Sequence, residues 1–404
     1  MIGTLAIAYS ISQFLRNTIG VIAPDLATEL GLNAIQIGFL SSAFYFAFAA
    51  TQIPLGIALD RFGPKRCIIA FAGITIIGCL AFAAAGSAVT LILARILIGI
   101  GSASFLMGAL ALYARRFSPQ QFSSVTGIQL GIGTLGTLVA TAPYSYAVGL
   151  IGWRMTFVGT ALVALVLALL VAVLIDEGER PKTGSQAPET LGESLRGTLA
   201  AIRIPGVGRL FVIQLTCHSS FVLLLGLWGA PYLAHVYGYS LQERGDLLFF
   251  LALSQIVGMF VWGGTDKWLN SYKIPVLTGS ILTVLGLVTL AIAGKLPPDL
   301  LVIWFIFYGF VTAYVPVMIA HGASLFPKHL VGRGLTVLNI GTMLGVFLSQ
   351  FISGAVINAF PMQAGAYSLT AYRTVFALQA LIVLIAAVFY VSAPDPRKTA
   401  FHAP

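Results

Sequence analysis

Twelve apolar runs of about 20 residues, separated by gaps that hold nearly all the charge, leave this chain few ways to fold. They fall near residues 5–24, 35–59, 67–85, 90–113, 125–148 and 155–175, then near 210–236, 247–265, 274–293, 300–325, 335–360 and 372–393. Each is long enough to cross a hydrocarbon core of about 30 Å. An open strand edge in lipid would leave backbone groups unpaired, so helices are the remaining choice. The expectation is an all-α membrane protein with twelve transmembrane helices.

Composition supports this class. Hydrophobic residues make up 58% of the 404, leaving too few polar ones to clothe a soluble globule. The net charge of +9 suggests nucleic acid until the positions are considered. The charges lie between apolar runs, so the expected partners are a lipid bilayer and a small molecule, with no nucleic acid. Cys67, Cys79 and Cys217 sit in or beside apolar runs without metal spacing and read as small core residues. No cofactor, metal or catalytic constellation is expected, so the chain does not read as an enzyme. The first run starts almost at Met1, carries Arg16 and lacks a small-residue cleavage site, which is not a signal-peptide pattern. A short cytoplasmic leader before it is left open.

The stretch 176–208 is the one extended hydrophilic segment. It suggests a six-span bundle over 1–176, a cytoplasmic linker over 177–208 and a second bundle over 209–404. Part of the linker, around 193–202, reads either as an amphipathic surface helix or as a solvated tether. With the amino terminus inside, sixteen basic residues face the cytoplasm, while Arg154, Arg244, Lys295 and Arg373 face out. That asymmetry places both termini in the cytoplasm. The halves also echo each other. Trp262-Gly263-Gly264-Thr265-Asp266-Lys267 follows span 8 as Gly56 to Arg61 follows span 2, and the Gly133 and Gly136 pair in span 5 returns as Gly341 and Gly345 in span 11.

The loop after span 2 reads Gly56-Ile57-Ala58-Leu59-Asp60-Arg61-Phe62-Gly63-Pro64-Lys65-Arg66. It resembles the G-x-x-x-D-R-x-G-R-R loop between helices 2 and 3 of the major facilitator superfamily. The resemblance covers essentially the whole chain. It implies two pseudo-symmetric six-helix bundles, a site between them near the membrane midplane, and transport by rocking of the halves. It also implies a conformational latch at Gly56, Asp60, Arg61, Gly63 and Arg66. There Asp60 would meet the positive start of helix 11 at Gly332-Arg333-Gly334, and Asp266 would meet the start of helix 5 at Ser123-Ser124. Alternatively, these charges only fix topology. Arg95-Ile96-Leu97-Ile98-Gly99-Ile100-Gly101 resembles the family's R-x-x-x-G-x-G pattern, with Arg95 either a snorkelling structural group or a coupling residue. Ala140-Thr141 stands where drug/proton antiporters of the family carry Gly-Pro, and Pro143 is displaced, which weakens a multidrug-efflux reading.

Arg16 is the sharpest functional clue. It shares a helical face with Tyr9, Gln13, Asn17 and Gly20, a stripe wasted against lipid. No carboxylate lies deep in any apolar run. Arg16 therefore takes its negative charge from a substrate, through a planar two-point fork, or bonds backbone carbonyls and side-chain amides, or bends toward the outer mouth to meet Asp25. Tyr45, Gln52, His218, Gln255, Tyr314 and Asn339 are further candidate cavity residues. His218, Asp25, Glu29 and Arg95 are the coupling candidates. The expected protein is a monomeric, multi-pass transporter of a small organic anion (a carboxylate or aromatic acid) in a bacterial inner membrane. Efflux of amphipathic drug-like compounds and a non-transporting sensor are the alternatives.

Overall fold

The computed structural model describes residues 1–175, 203–327, 330–363 and 365–399. Most of the expected linker, including 193–202, lies outside the described residues. What is described is helical almost throughout. The long helices are α1 (Ile2–Leu30), α2 (Ala34–Phe62), α3 (Pro64–Ala83), α4 (Ala88–Arg116), α5 (Pro119–Val139) and α6 (Ala142–Leu174). They continue with α7 (Val207–Tyr237), α8 (Leu241–Trp268), α9 (Lys273–Ala293), α10 (Pro298–Leu325), α11 (Val331–Asn358) and α12 (Leu369–Val391). Between α11 and α12, Met362–Gln363 pairs antiparallel with Ala366–Tyr367 in a small hairpin.

Ten of these helices, all but α1 and α5, are long and apolar enough to cross a membrane by length and composition. The fold is thus an all-α, multi-pass membrane fold. Local chemistry sets several boundaries. Gly63 has φ +88°, a conformation that disfavours a side chain, and Pro64 opens α3 where its missing N–H has no helical partner to lose. Ser118 with Gln121, and Ser240 with Glu243, form reciprocal caps at the starts of α5 and α8. Gly152 (φ +76°) interrupts α6, so the boundary read between spans 5 and 6 falls there and 142–151 continues span 5 beyond a turn at Ala140-Thr141.

Helix α7 is the least regular. It pauses at His218 and contains two π-helical segments, Leu224–Trp228 and Leu233–Tyr237. Such bulges insert a residue and recur at functional sites.

The contacts divide the chain into two units: Met1–Thr18 with Ala43–Leu195, and Ile19–Ser42 with Arg196–Pro404. Glycines explain how closely helices approach within each. In the first, a Cβ on Gly99 would lie 2.5 Å from the Phe44 carbonyl oxygen, and one on Gly136 would run into the Ser10 carbonyl. In the second, a Cβ on Gly345 would run into the Leu215 carbonyl, so α11 sits on α7 as α5 sits on α1. The echoed glycines of the two halves therefore carry the same packing task.

The ends of α1 and α2 that flank Gly31 belong to the second unit by their contacts. A Cβ on Gly20 would meet the Leu225 carbonyl, and one on Gly38 would lie 2.8 Å from the Gln350 carbonyl. Ser41 Oγ donates to the Gly226 carbonyl at 3.1 Å, and the Ala34 N–H donates to the Tyr367 hydroxyl at 3.0 Å. The core of this unit gathers Leu210, Trp262, Val276, Tyr314, Met318 and Tyr390.

Candidate functional site

In the first unit, the polar stripe of α1 is buried and underused. Arg16 is 8% exposed and Asn17 6%. Arg16 Nε, Gln13 Oε1 and Asn17 Oδ1 are shielded from solvent and lack hydrogen-bond partners among the described residues. Asn17 Nδ2 donates back to the Gln13 carbonyl at 3.0 Å, which spends one donor locally and leaves its oxygen open. The Arg16 guanidinium carbon lies 4.3 Å from the centre of the Phe48 ring on α2. Tyr45 Oη donates to the Arg16 carbonyl at 3.3 Å. Gln52 stands one turn beyond Phe48 on the same face of α2, and its Nε2 is also buried without a partner. Tyr9, by contrast, packs its ring where Gly133 leaves room on α5.

Electrostatics sharpen this arrangement. Among the described residues of the first unit, Asp60 is the single acidic side chain, against Arg16, Arg61, Lys65, Arg66, Arg95, Arg115, Arg116 and Arg154. Asp60 is exposed near the end of α2, about 18 Å along the helix from Phe48 at 1.5 Å per residue. It is too far to neutralise Arg16. Arg95 is fully buried on α4, and its Nη1 donates to the Leu15 carbonyl at 2.6 Å. A guanidinium in a membrane span is expensive unless it is paired or used. The described residues of this unit bury two.

The other sequence-derived candidates lie as follows. Gly56, Arg61 and Arg66 are exposed around the α2–α3 turn, Gly63 is buried in it, and Arg333 is half-buried at the start of α11. In the second unit, His218 is half-buried at the pause in α7, its ring 6.1 Å from Phe221. Gln255 on α8 is buried with Nε2 unpartnered, and Asn339 on α11 is half-buried. Tyr314 is a core residue of the break in α10, its hydroxyl accepting from Ser280 Oγ at 3.2 Å. Glu29 is exposed. Asp25 is ion-paired with Arg244 at 3.2 Å. Asp266 is buried and ion-paired with Arg397 at 2.5 Å, so its carboxylate is engaged within its own unit.

Sequence reasoning passed over Phe44, Phe48, Arg244, Gln350 and Arg397. Gln350 is fully buried on α11, with neither amide atom hydrogen-bonded among the described residues. An amide within an apolar run, the mark by which Gln52 and Gln255 stand out, is present there too. Aromatic residues carry no such mark in a chain where so many are core.

The family model described as Major Facilitator Superfamily matches residues 5–294 and 210–403. The chain belongs to the major facilitator superfamily. Superfamily membership makes it a secondary transporter rather than an enzyme. It is 26% identical over 306 residues to a probable sulfoacetate transporter of Cupriavidus necator, covering 73% of this chain and 70% of that one. It is 24% identical over 306 residues to the hexuronate transporter of Escherichia coli K12, covering 70% of each. A putative tartrate transporter of Agrobacterium vitis is 24% identical over 305 residues, covering 70% of this chain and 67% of its own. Among solved structures, a bacterial homologue of the human lysosomal transporter Spinster superposes with a TM-score of 0.78 at 18% identity, covering 97% of this chain and 96% of that one. A mutant of the nucleoside transporter NupG gives 0.77 at 16%, covering 96% and 99%. These two establish the superfamily fold only.

Proposed function

We propose that this superfamily member carries small organic anions across a bacterial inner membrane by alternating access, and that Arg16 binds the anionic group. It would cross the membrane twelve times with both termini in the cytoplasm, as the distribution of basic residues suggests.

One observation carries the reading: Arg16 is a buried cation without a carboxylate within reach among the described residues of its unit. Unpaired Gln13, Asn17 and Gln52 atoms lie on the two helices beside it. A planar guanidinium offers a carboxylate or sulfonate two parallel N–H donors, and removal from water strengthens that bond. Neighbouring amides add neutral donors and acceptors suited to hydroxyl groups. The relatives named for sulfoacetate, hexuronate and tartrate support the same class, since each of those compounds is a small organic acid with at least one carboxylate. The Phe48 ring, 4.3 Å from the guanidinium carbon, gives the cation an aromatic face to rest on.

The test is calorimetry on purified protein with sulfoacetate, glucuronate and tartrate. At least one should bind to wild type, Arg16→Gln should weaken that binding at least 30-fold, and Arg16→Lys should recover only part. An ammonium keeps the charge and loses the fork. Equal affinity in wild type and well-folded Arg16→Gln would return Arg16 to a structural role.

A further inference from the structure

Arg95 looks at first like a packing residue: it is fully buried, and its helix is pinned by close glycine contacts. Gly99 lies against Phe44 on α2, and Gly101 against Thr75 on α3. Its hydrogen bonds do not fit that role. Only Nη1 has a partner, the Leu15 carbonyl at 2.6 Å, while Nε and Nη2 are buried without one among the described residues. A neutral side chain would fill the same space without desolvating a charge. What the guanidinium touches is more informative. Leu15 directly precedes Arg16 on α1. The Arg95 guanidinium carbon also lies 5.0 Å from the centre of the Phe44 ring. Phe44 stacks on Phe48 at 6.1 Å with an interplanar angle of 17°, and Phe48 in turn lies under Arg16 at 4.3 Å.

Two buried guanidinium groups therefore each lie over one ring of a stacked pair, and Arg95 also holds the backbone turn that carries Arg16. Tyr45 Oη, on the next carbonyl, braces the same turn. The geometry points to Arg95 as a positioning residue for Arg16. It fixes the Leu15 carbonyl and the Phe44–Phe48 stack, so that the Arg16 fork is held in one orientation before an anion arrives. This rests on the proposal that Arg16 binds the anion. Preorganisation of this kind raises affinity by removing the ordering loss on binding, without a direct contact. It also accounts for a charged donor there: its N–H reaches a carbonyl that already accepts from Thr18 Oγ1 at 3.1 Å, and a charged donor makes the stronger bond.

The experiment uses the full chain in nanodiscs, with whichever of sulfoacetate, glucuronate and tartrate binds wild type most tightly as the probe. Arg95→Met should weaken binding about tenfold, and Arg95→Lys should recover about half of that loss on a logarithmic scale. Phe44→Leu, which cuts the ring path and keeps the buried cation, should weaken binding about threefold. A second readout needs no ligand: the ¹⁵N Nε–H signal of Arg16, assigned by its loss in Arg16→Lys, should be sharp in wild type and broadened in Arg95→Met. Wild-type affinity in Arg95→Met, or in Phe44→Leu where Arg95→Met does not fold, overturns the inference while Arg16→Gln still weakens binding at least 30-fold. Should Arg16→Gln bind normally, the anion reading itself fails, and an unchanged Arg16 signal in Arg95→Met, or in Phe44→Leu if that variant alone folds, then overturns the positioning role as well.

Discussion

Arg244 Nη2 lies 3.2 Å from Asp25 Oδ2, tying α8 to the end of α1 across 219 residues of sequence. Arg244 is buried and Asp25 is partly exposed, so the pair serves the cation more than the anion. Removing Asp25 alone leaves a buried guanidinium whose one remaining acceptor among the described residues is the Ser240 carbonyl, at 3.2 Å from Nε. Asp25→Ala should lower stability by about 1–3 kcal/mol. Asp25→Ala with Arg244→Leu should recover at least half of that in the same denaturant titration. A double variant no more stable than the single one would show that the pair is incidental.

The Arg397–Asp266 pair reverses the asymmetry, because here the carboxylate is the buried partner. Arg397→Gln should destabilise by about 3 kcal/mol, the usual effect of stranding a buried charge. Asp266→Asn added to it should restore much of the loss. Because the carboxylate is shielded, the effect should change little between low and moderate salt. Strong salt dependence would place the interaction at the surface.

Glycine substitutions separate packing from propensity. Gly136→Ala drives a methyl group into the Ser10 carbonyl, whereas Gly127 has no neighbour within 4 Å of a new Cβ. Gly136→Ala should cost about 1–3 kcal/mol through overpacking. Gly127→Ala should be neutral or stabilising, since alanine is the better helix former. Melting temperatures of the two, measured side by side, decide the matter; equal shifts would mean that α5 does not depend on its approach to α1.

His218 offers a test of energy coupling. Histidine titrates nearest to working pH, and this one sits at the pause in α7. His218→Gln should leave substrate exchange intact and weaken only pH-driven accumulation in the same proteoliposomes. Loss of exchange would make it a substrate ligand instead.

The fold was readable because lipid imposes a simple code, apolar runs with charge in the gaps, and because glycine has few alternatives where helices touch. Gly63, Gly99 and Gly101 stand in motifs whose geometric reasons are visible: a positive φ at the first and a backbone too near for a Cβ at the others. Arg16 was readable for the same reason, as a charge in the wrong solvent. The partners were not. Nothing local to Arg244 or Arg397 says which of the thirteen acidic residues each meets, because that choice is made by tertiary packing over separations of 219 and 131 residues. Phe44 and Phe48 were hidden by resemblance to the other phenylalanines of the spans.

The two π segments of α7 have a consequence for anyone mapping that helix. Each adds a residue without completing an extra α-turn, and one α-helical residue corresponds to about 100° of rotation. A helical wheel phased on Leu210 or Gln214 therefore loses register by Trp228 and again after Leu233. Within the first segment the Gly226 carbonyl accepts from Ser41 on α2 and Trp228 Nε1 donates to Ser353 on α11, while the run stays buried. Accessibility scans along α7 should show their periodicity slipping phase near 224 and 233, and single-residue deletions there should be tolerated better than deletions at Leu210.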